Sequence, residues 1–187
     1  MRHTTHKNLL KLHRIYEDEM NIYLVSNYYA AGDLEKATKG RKILDEHKIQ
    51  EIMRNLLEAV ADLHANDIIH RDIKPTNILM NKIDSYSDIS LCDFGMSTYT
   101  WREEDTSEFW GSPGYIAPEM FNKRYSEKID CYAVGLIMYQ LITGHSPFYA
   151  NSSKMLEEKN SAGCISFRDR RWNIVSVEAK NLVMQLT

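Results

Sequence analysis

Residues 68–80 read IIHRDIKPTNILM. A basic residue, Arg71, stands beside an acid, Asp72; Lys74 follows two positions on and Asn77 three further. Ile68 and Ile69 precede this polar centre, and Ile78, Leu79 and Met80 follow it. Apolar runs on both sides anchor the ends of a loop in a core and leave its centre at a cleft. Within that centre, an acid can accept a proton from a hydroxyl. A lysine two positions along an extended segment projects to the same side and neutralises phosphate charge beside the acid. An asparagine carbonyl is a hard oxygen ligand of the kind Mg²⁺ takes. The same residue types also make a solvated charge cluster on a surface loop, and this stretch alone leaves both readings open.

Motifs elsewhere decide between them. "CDFGMS" supplies Asp93, sixteen residues after Asn77. Between them, "NILM" and "ISLC" are short apolar runs joined by the polar "NKIDSYSD", the pattern of a hairpin. Such a hairpin brings Asn77 and Asp93 side by side as metal ligands. "GSPGYIAPE" follows at 111–119, and "DCYAVG" at 130–135 opens an apolar helix. The four motifs come in one order at compatible spacings, which a chance surface loop does not explain.

The frame around them is helical. Two strands are expected at 9–16 and 22–28, with "EDEMN" as their turn, then a loop and a short helix through "YAAGDLEKATKG". From Asp45, a capping residue, Ile49, Ile52, Met53, Leu56, Leu57, Val60 and Leu63 recur at three-and-four spacing to a break near Asn66 and Asp67. Residues 93–119 carry Gly, Pro, Ser and Thr without periodicity and read as a long functional loop. Helix follows from Ser126 to Gly144, and "SVEAKNLVMQL", capped by Ser176, is the last one. The fold class is α+β, a few strands followed by a helical bulk.

Composition narrows the function. At 187 residues and 43% hydrophobic, the chain can bury a sizeable core as one domain. A net charge of −3, with no basic stripe carrying interleaved aromatics, argues against nucleic acid as partner. The longest apolar run, 131–142, falls short of the roughly 20 residues a membrane span needs. No signal peptide is legible. Cys92, Cys131 and Cys164 are odd in number and far apart, which suits reduced thiols and a cytoplasmic location.

On these motifs the chain resembles a eukaryotic-type protein kinase over essentially all of its length. "HRDIKPTN" is similar to the catalytic loop of that family, "DFG" to the metal-binding start of its activation segment and "APE" to the end of that segment. The resemblance implies ATP and Mg²⁺ as cofactors and protein substrates. It implies Asp72 as catalytic base, Lys74 as contact to the transferred phosphate, Asn77 and Asp93 as Mg²⁺ ligands, and Ser112 as a hydroxyl bridging Asp72 and Lys74. Lys74 together with "GSPGYIAPE" resembles the serine/threonine kinases, and "WGSPGYIAPE" with "RRWNIVSVEAKNLV" looks most like their calcium/calmodulin-dependent group. A pseudokinase that keeps the fold as a binding scaffold is the alternative; the presence of Asp72, Lys74, Asn77 and Asp93 argues against it.

The same resemblance makes "NIYLVSNYYAAGDL" the strand and hinge that hold adenine. Backbone groups of Asn27 and Tyr29 bond its edge, Leu34 and Leu79 pack on its faces, and Asp33 meets ribose hydroxyls or a basic substrate residue. Ser26 falls at the position that gates the pocket behind adenine, where a small side chain leaves space. Leu12, His70 and Phe94 stack as a spine, and Asp130 accepts backbone N–H groups of the catalytic loop. Thr76 and Gln140 stand where arginine-directed relatives often carry glutamate. Arg71 is expected to pair with the activation segment. Four residues before Ser112 stands Glu108, whose carboxylate would take the place of a phosphate; Thr106 and Ser107 are rival phosphosites. The family's glycine-rich loop, anchoring lysine and partner glutamate are expected before residue 1, and the arginine that pairs with Glu119 after residue 187. The chain therefore reads as a partial kinase domain. Residues 1–28 would be the end of the small lobe and hinge, and 29–187 an incomplete large lobe, with poor ATP binding by this piece alone. Calmodulin or another regulator would engage sequence outside it.

Overall fold

The computed structural model describes residues 6–40, 44–83, 85–102, 108–122 and 124–187. Two helices form the centre. The first, α2 (Glu46–Ala65), starts where the Asp45 carboxylate accepts the Lys48 N–H at 3.0 Å, filling one of the donors a helix start leaves free. Its Ile49, Ile52, Met53, Leu56, Val60 and Leu63 are buried along one side, as their spacing requires. The second, α3 (Lys128–Thr143), is apolar all round and buried on nearly every face, ending at Gly144 in the left-handed conformation. Both α2 and α5 (Val177–Leu186) pack on α3. Against this frame also lie α1 (Leu34–Thr38) and α4 (Ser153–Ala162).

The strands are short and antiparallel. β1 (Leu12–Glu17) pairs with β2 (Ile22–Ser26), turning at Asp18, whose carboxylate accepts the Met20 and Asn21 N–H groups at 2.8 Å each. β3 (Gly32–Asp33), β5 (Ile78–Met80) and β6 (Ile89–Leu91) form a three-stranded sheet. The register Ile78↔Leu91 makes the expected hairpin and leaves Asn77 and Asp93 at the same end of it. β4 (Ile68–Ile69) pairs with β7 (Thr98–Tyr99).

Three expectations change. The strand expected from residue 9 begins at Leu12. Leu10 instead donates its N–H to the Leu91 carbonyl at 2.9 Å, and Leu9 is buried in the main core. An apolar pair that can reach the core gains more there than in an exposed two-stranded ribbon. The strand expected through residue 28 ends at Ser26. Finally, the long loop 93–119 holds β7, and a 3₁₀ turn at Pro118–Asn122 closes it.

Leu34 is fully buried beneath the β3–β5 pair and joins the core that includes Ile78 and Met80. Leu34→Ala is expected to lower unfolding stability by about 2–5 kcal/mol, the usual cost of emptying a packed leucine site. Denaturant midpoints measure it; a loss below about 0.5 kcal/mol, the range of surface substitutions, would show that Leu34 is not a core residue.

Candidate active site

Asp130 sits at the start of α3 and is only 1% exposed. Its Oδ2 accepts the His70 N–H at 2.8 Å and its Oδ1 the Arg71 N–H at 2.9 Å. His64, from the end of α2, adds a ring nitrogen 2.9 Å from Oδ2. The two peptide donors matter because Arg71 has a positive φ of 68°, which a residue with a side chain adopts only under constraint. Charge-assisted bonds to a buried carboxylate supply that constraint.

His70 is the next layer. Its Nδ1 accepts the Asp72 N–H at 3.3 Å, and its Nε2 lies 3.0 Å from the Cys92 carbonyl. Only the neutral ring with its proton on Nε2 meets both needs. Burial agrees, since it lowers the His70 pKa against the opposing pull of Asp130. Phe94 packs on the ring at 5.1 Å between centroids. Leu12, the third expected member of that stack, pairs with Ser26 across the β1–β2 ribbon.

Four side chains then converge. Ser112 donates its hydroxyl to Asp72 Oδ1 at 2.7 Å and accepts from Lys74 Nζ at 2.7 Å. Lys74 Nζ lies 2.8 Å from Asp72 Oδ2. Asn77 donates Nδ2 to the Asp72 carbonyl at 2.8 Å and to Oδ2 at 3.1 Å. Asp72 is buried and its carboxylate is held from three sides. Gly111 explains how Ser112 reaches so close. It has a φ of 119°, and a Cβ there would meet the Arg71 carbonyl at 3.2 Å and Ile116 Cγ1 at 3.3 Å.

With both Asn77 N–H groups turned to Asp72, its Oδ1 remains as an oxygen donor. Asp93 is exposed at the same hairpin end with a φ of 63°, and its Oδ1 accepts the Gly95 N–H at 3.2 Å. Two hard oxygen donors beside an ammonium fit Mg²⁺, which completes its shell with phosphate oxygens and water. Among the described residues, no group of three His, Cys, Asp or Glu side chains could hold a metal ion.

The expected adenine side is less uniform. Leu79 is half-buried and paired with Asp33, so one face remains available. Leu34 is fully buried and cannot offer a face. Asp33 caps α1, its Oδ1 accepting the Lys36 N–H at 2.8 Å and its Oδ2 lying 3.1 Å from Lys36 Nζ. Ser26 and Asn27 are exposed, Asn27 Oδ1 meeting His13 Nε2. Tyr29 accepts the Gly32 N–H at 3.3 Å.

The protein kinase domain family model matches residues 1–187. This chain belongs to the protein kinase domain family. Over 185 residues the kinase domain is 32% identical to calcium-dependent protein kinase 5 of Plasmodium berghei (strain Anka), an alignment covering 99% of this chain and 33% of that protein. It thus spans about a third of the length of the curated relative it matches. Among its described residues, no helix is long and apolar enough to cross a membrane.

In the kinase's activation segment the described contacts of Glu108 and Arg71 run to other groups. Glu108 Oε2 accepts the Trp110 indole N–H at 2.7 Å, while Arg71 donates Nε to the Met96 carbonyl and lies over the Trp110 ring at 5.5 Å. One link to Glu108 is indirect. Tyr125 accepts from Arg71 Nη1 at 3.2 Å and donates to the Glu108 backbone carbonyl at 2.9 Å. A nearby indole and hydroxyl compete for both partners, which counting positions cannot reveal. Sequence reasoning missed Trp110, inside the segment, and Tyr125, just after it. Thr106 and Ser107 lie outside the described residues.

Cys92 precedes Asp93, and its thiol pKa is pushed up to about 11, chiefly by burial and further by the Asp93 and Asp33 charges. Its thiolate is therefore scarce at neutral pH. Mass spectrometry after treatment with a cleft-directed electrophile at pH 7 is expected to find Cys92 essentially unlabelled, with labelling rising only as pH approaches 11. Rapid labelling at pH 7 that ATP blocks would contradict this.

Proposed function

We propose that this kinase transfers the γ-phosphate of ATP to serine or threonine hydroxyls of protein substrates. The observation that carries the reading is the Asp72–Ser112–Lys74 bridge. Asp72 Oδ1 already accepts a serine hydroxyl at 2.7 Å, and an ammonium stands 2.8 Å from the other oxygen. A substrate hydroxyl held in the same way gives its proton to Asp72 as its oxygen takes the phosphoryl group. Asn77 and Lys74 hold Oδ2, which orients Oδ1 toward that proton. Lys74 offsets charge on the transferred phosphate, and Asn77 Oδ1 and the Asp93 carboxylate would hold Mg²⁺. When bound, Mg²⁺ supplies neutralisation of phosphate charge. This division suits phosphoryl transfer, which needs positioning and charge stabilisation more than covalent catalysis.

Residues 1–28 are read as the end of the small lobe with the hinge, and 29–187 as large lobe. Leu79, with backbone groups of Asn27 and Tyr29, takes adenine, and the small Ser26 leaves the pocket behind it open. Serine/threonine preference rests on Lys74 and the GSPGY stretch. Gln140 accepts the Tyr115 hydroxyl at 2.7 Å and is neutral, so it gives a basic substrate residue no charge to meet. The clasp of Arg71 by Trp110 and Tyr125 supports activity without phosphate on the segment. The name of the similar protein supports a calcium-linked regulator such as calmodulin. Three unpaired thiols suit the cytoplasm.

Asp72→Asn in the full-length protein is expected to cut transfer to a serine peptide by about 10²- to 10⁴-fold, the range of a lost general base. Its thermal midpoint should stay close to wild type. Near-normal turnover would remove Asp72 from this role.

A further inference from the structure

Asn160, on the last turn of α4, is 0% exposed, an unusual place for an amide side chain. Its two ends face different elements. Nδ2 donates to the Leu156 carbonyl within α4 at 2.8 Å, and Oδ1 accepts the Gly114 N–H at 3.1 Å across 46 residues of chain. Gly114 belongs to the turn that begins at Ser112.

The turn creates the need for this acceptor. The Tyr115 N–H bonds to the Ser112 carbonyl at 3.1 Å, closing residues 112–115. Pro113 fills the second position and Gly114, at φ 96°, the third, the arrangement that requires positive φ there. That closing bond leaves the Gly114 N–H unused, and Gly114 is buried, so water does not serve it. Asn160 Oδ1 supplies the missing partner. Next to it α4 touches the same segment again: Gly163, at φ 61°, would bring a Cβ to 2.8 Å from Pro118 Cγ. Leu156 and Ile165 pack with Ile116, Ala117 and Met120. The helix end therefore grips the segment at Gly114 and Pro118.

We infer that Asn160 is a positioning residue for substrate engagement: by fixing the Pro113–Gly114 peptide it holds Ser112 against Asp72 and Lys74. Its kinetic consequence rests on the transferase reading above; its structural consequence does not. Losing Oδ1 frees the peptide to rotate, and the turn loses its hold on the hydroxyl that bridges the base and the lysine.

The test compares full-length wild type, Asn160→Leu and Asn160→Asp. Leucine keeps the volume and removes the acceptor; aspartic acid, kept protonated by full burial, keeps an oxygen for Gly114 and an O–H for the Leu156 carbonyl. Amide exchange over residues 111–116 is read by mass spectrometry, and KM for a serine peptide and for ATP by steady-state assay. In Asn160→Leu, exchange at Gly114 is expected to rise by about tenfold, the equilibrium weight of one buried hydrogen bond. Exchange in α3 stays at the wild-type level. Peptide KM rises by a similar factor while ATP KM is unchanged, and Asn160→Asp restores both. Unchanged exchange at Gly114, or exchange raised equally through α3, overturns the inference. So does Asn160→Asp behaving like Asn160→Leu. If Asn160→Leu does not fold, Asn160→Asp decides: wild-type protection at Gly114 supports the tether and lost protection rejects it. Faster exchange in Asn160→Leu alongside a wild type without any transfer would retain the tether and reject the transferase reading.

Discussion

Two peptide N–H groups, those of His70 and Arg71, end on one buried carboxylate, and the site depends on that arrangement. Asp130 is nearly inaccessible to water and belongs to the most buried helix of the molecule. An uncompensated charge there would be costly, so the carboxylate requires donors as much as the loop requires an acceptor. The loop in turn is bent through a positive φ of 68° at Arg71, a conformation uncommon for a residue with a side chain. Each element removes the other's penalty. The consequence is positional: Asp72 follows immediately, in a fixed frame relative to α3.

From that frame the polar contacts run outward without a gap. Asp72 holds Ser112 and Asn77, Lys74 joins Asp72 to Ser112, and the turn from Ser112 is fixed by Asn160 on α4. The hairpin of β5 and β6 sets Asn77 and Asp93 at one end, and the Cys92 N–H bonds the Asn77 carbonyl at 2.9 Å. Helix and loop thus meet at the Asp130 carboxylate, and loop, hairpin end and segment at that of Asp72. Apart from exposed Asp93, every group named is tied to at least one buried partner, which is what preorganisation of a charged site demands.

Much of this was legible because the signals were local. The α2 spacing and its Asp45 cap, the largely apolar α3, and the two short runs of the β5–β6 hairpin each carry their own pattern. The motif residues were legible through order and spacing. Legibility failed where two side chains compete for one partner. Counting back from Ser112 reached Glu108, yet nothing linear says that Trp110 takes its carboxylate or that Tyr125 stands between it and Arg71. Asp33 precedes a helix, so capping wins over an open carboxylate. Leu9 leaves the ribbon for the core, and β7 is two residues long, too short for any periodicity to register. Asn160 is a lone amide in a polar stretch, and only burial distinguishes it from its neighbours.

Asp130 holds the bent loop at His70 and Arg71 through two backbone bonds, and residue-resolved amide exchange of Asp130→Asn beside wild type reads both of them. The His70 and Arg71 amides should exchange at least about tenfold faster in the variant, as expected when a charge-assisted acceptor becomes a neutral one, while the α2 core amides stay protected. Equal protection of His70 and Arg71 in the two proteins would show that the carboxylate does not hold the loop.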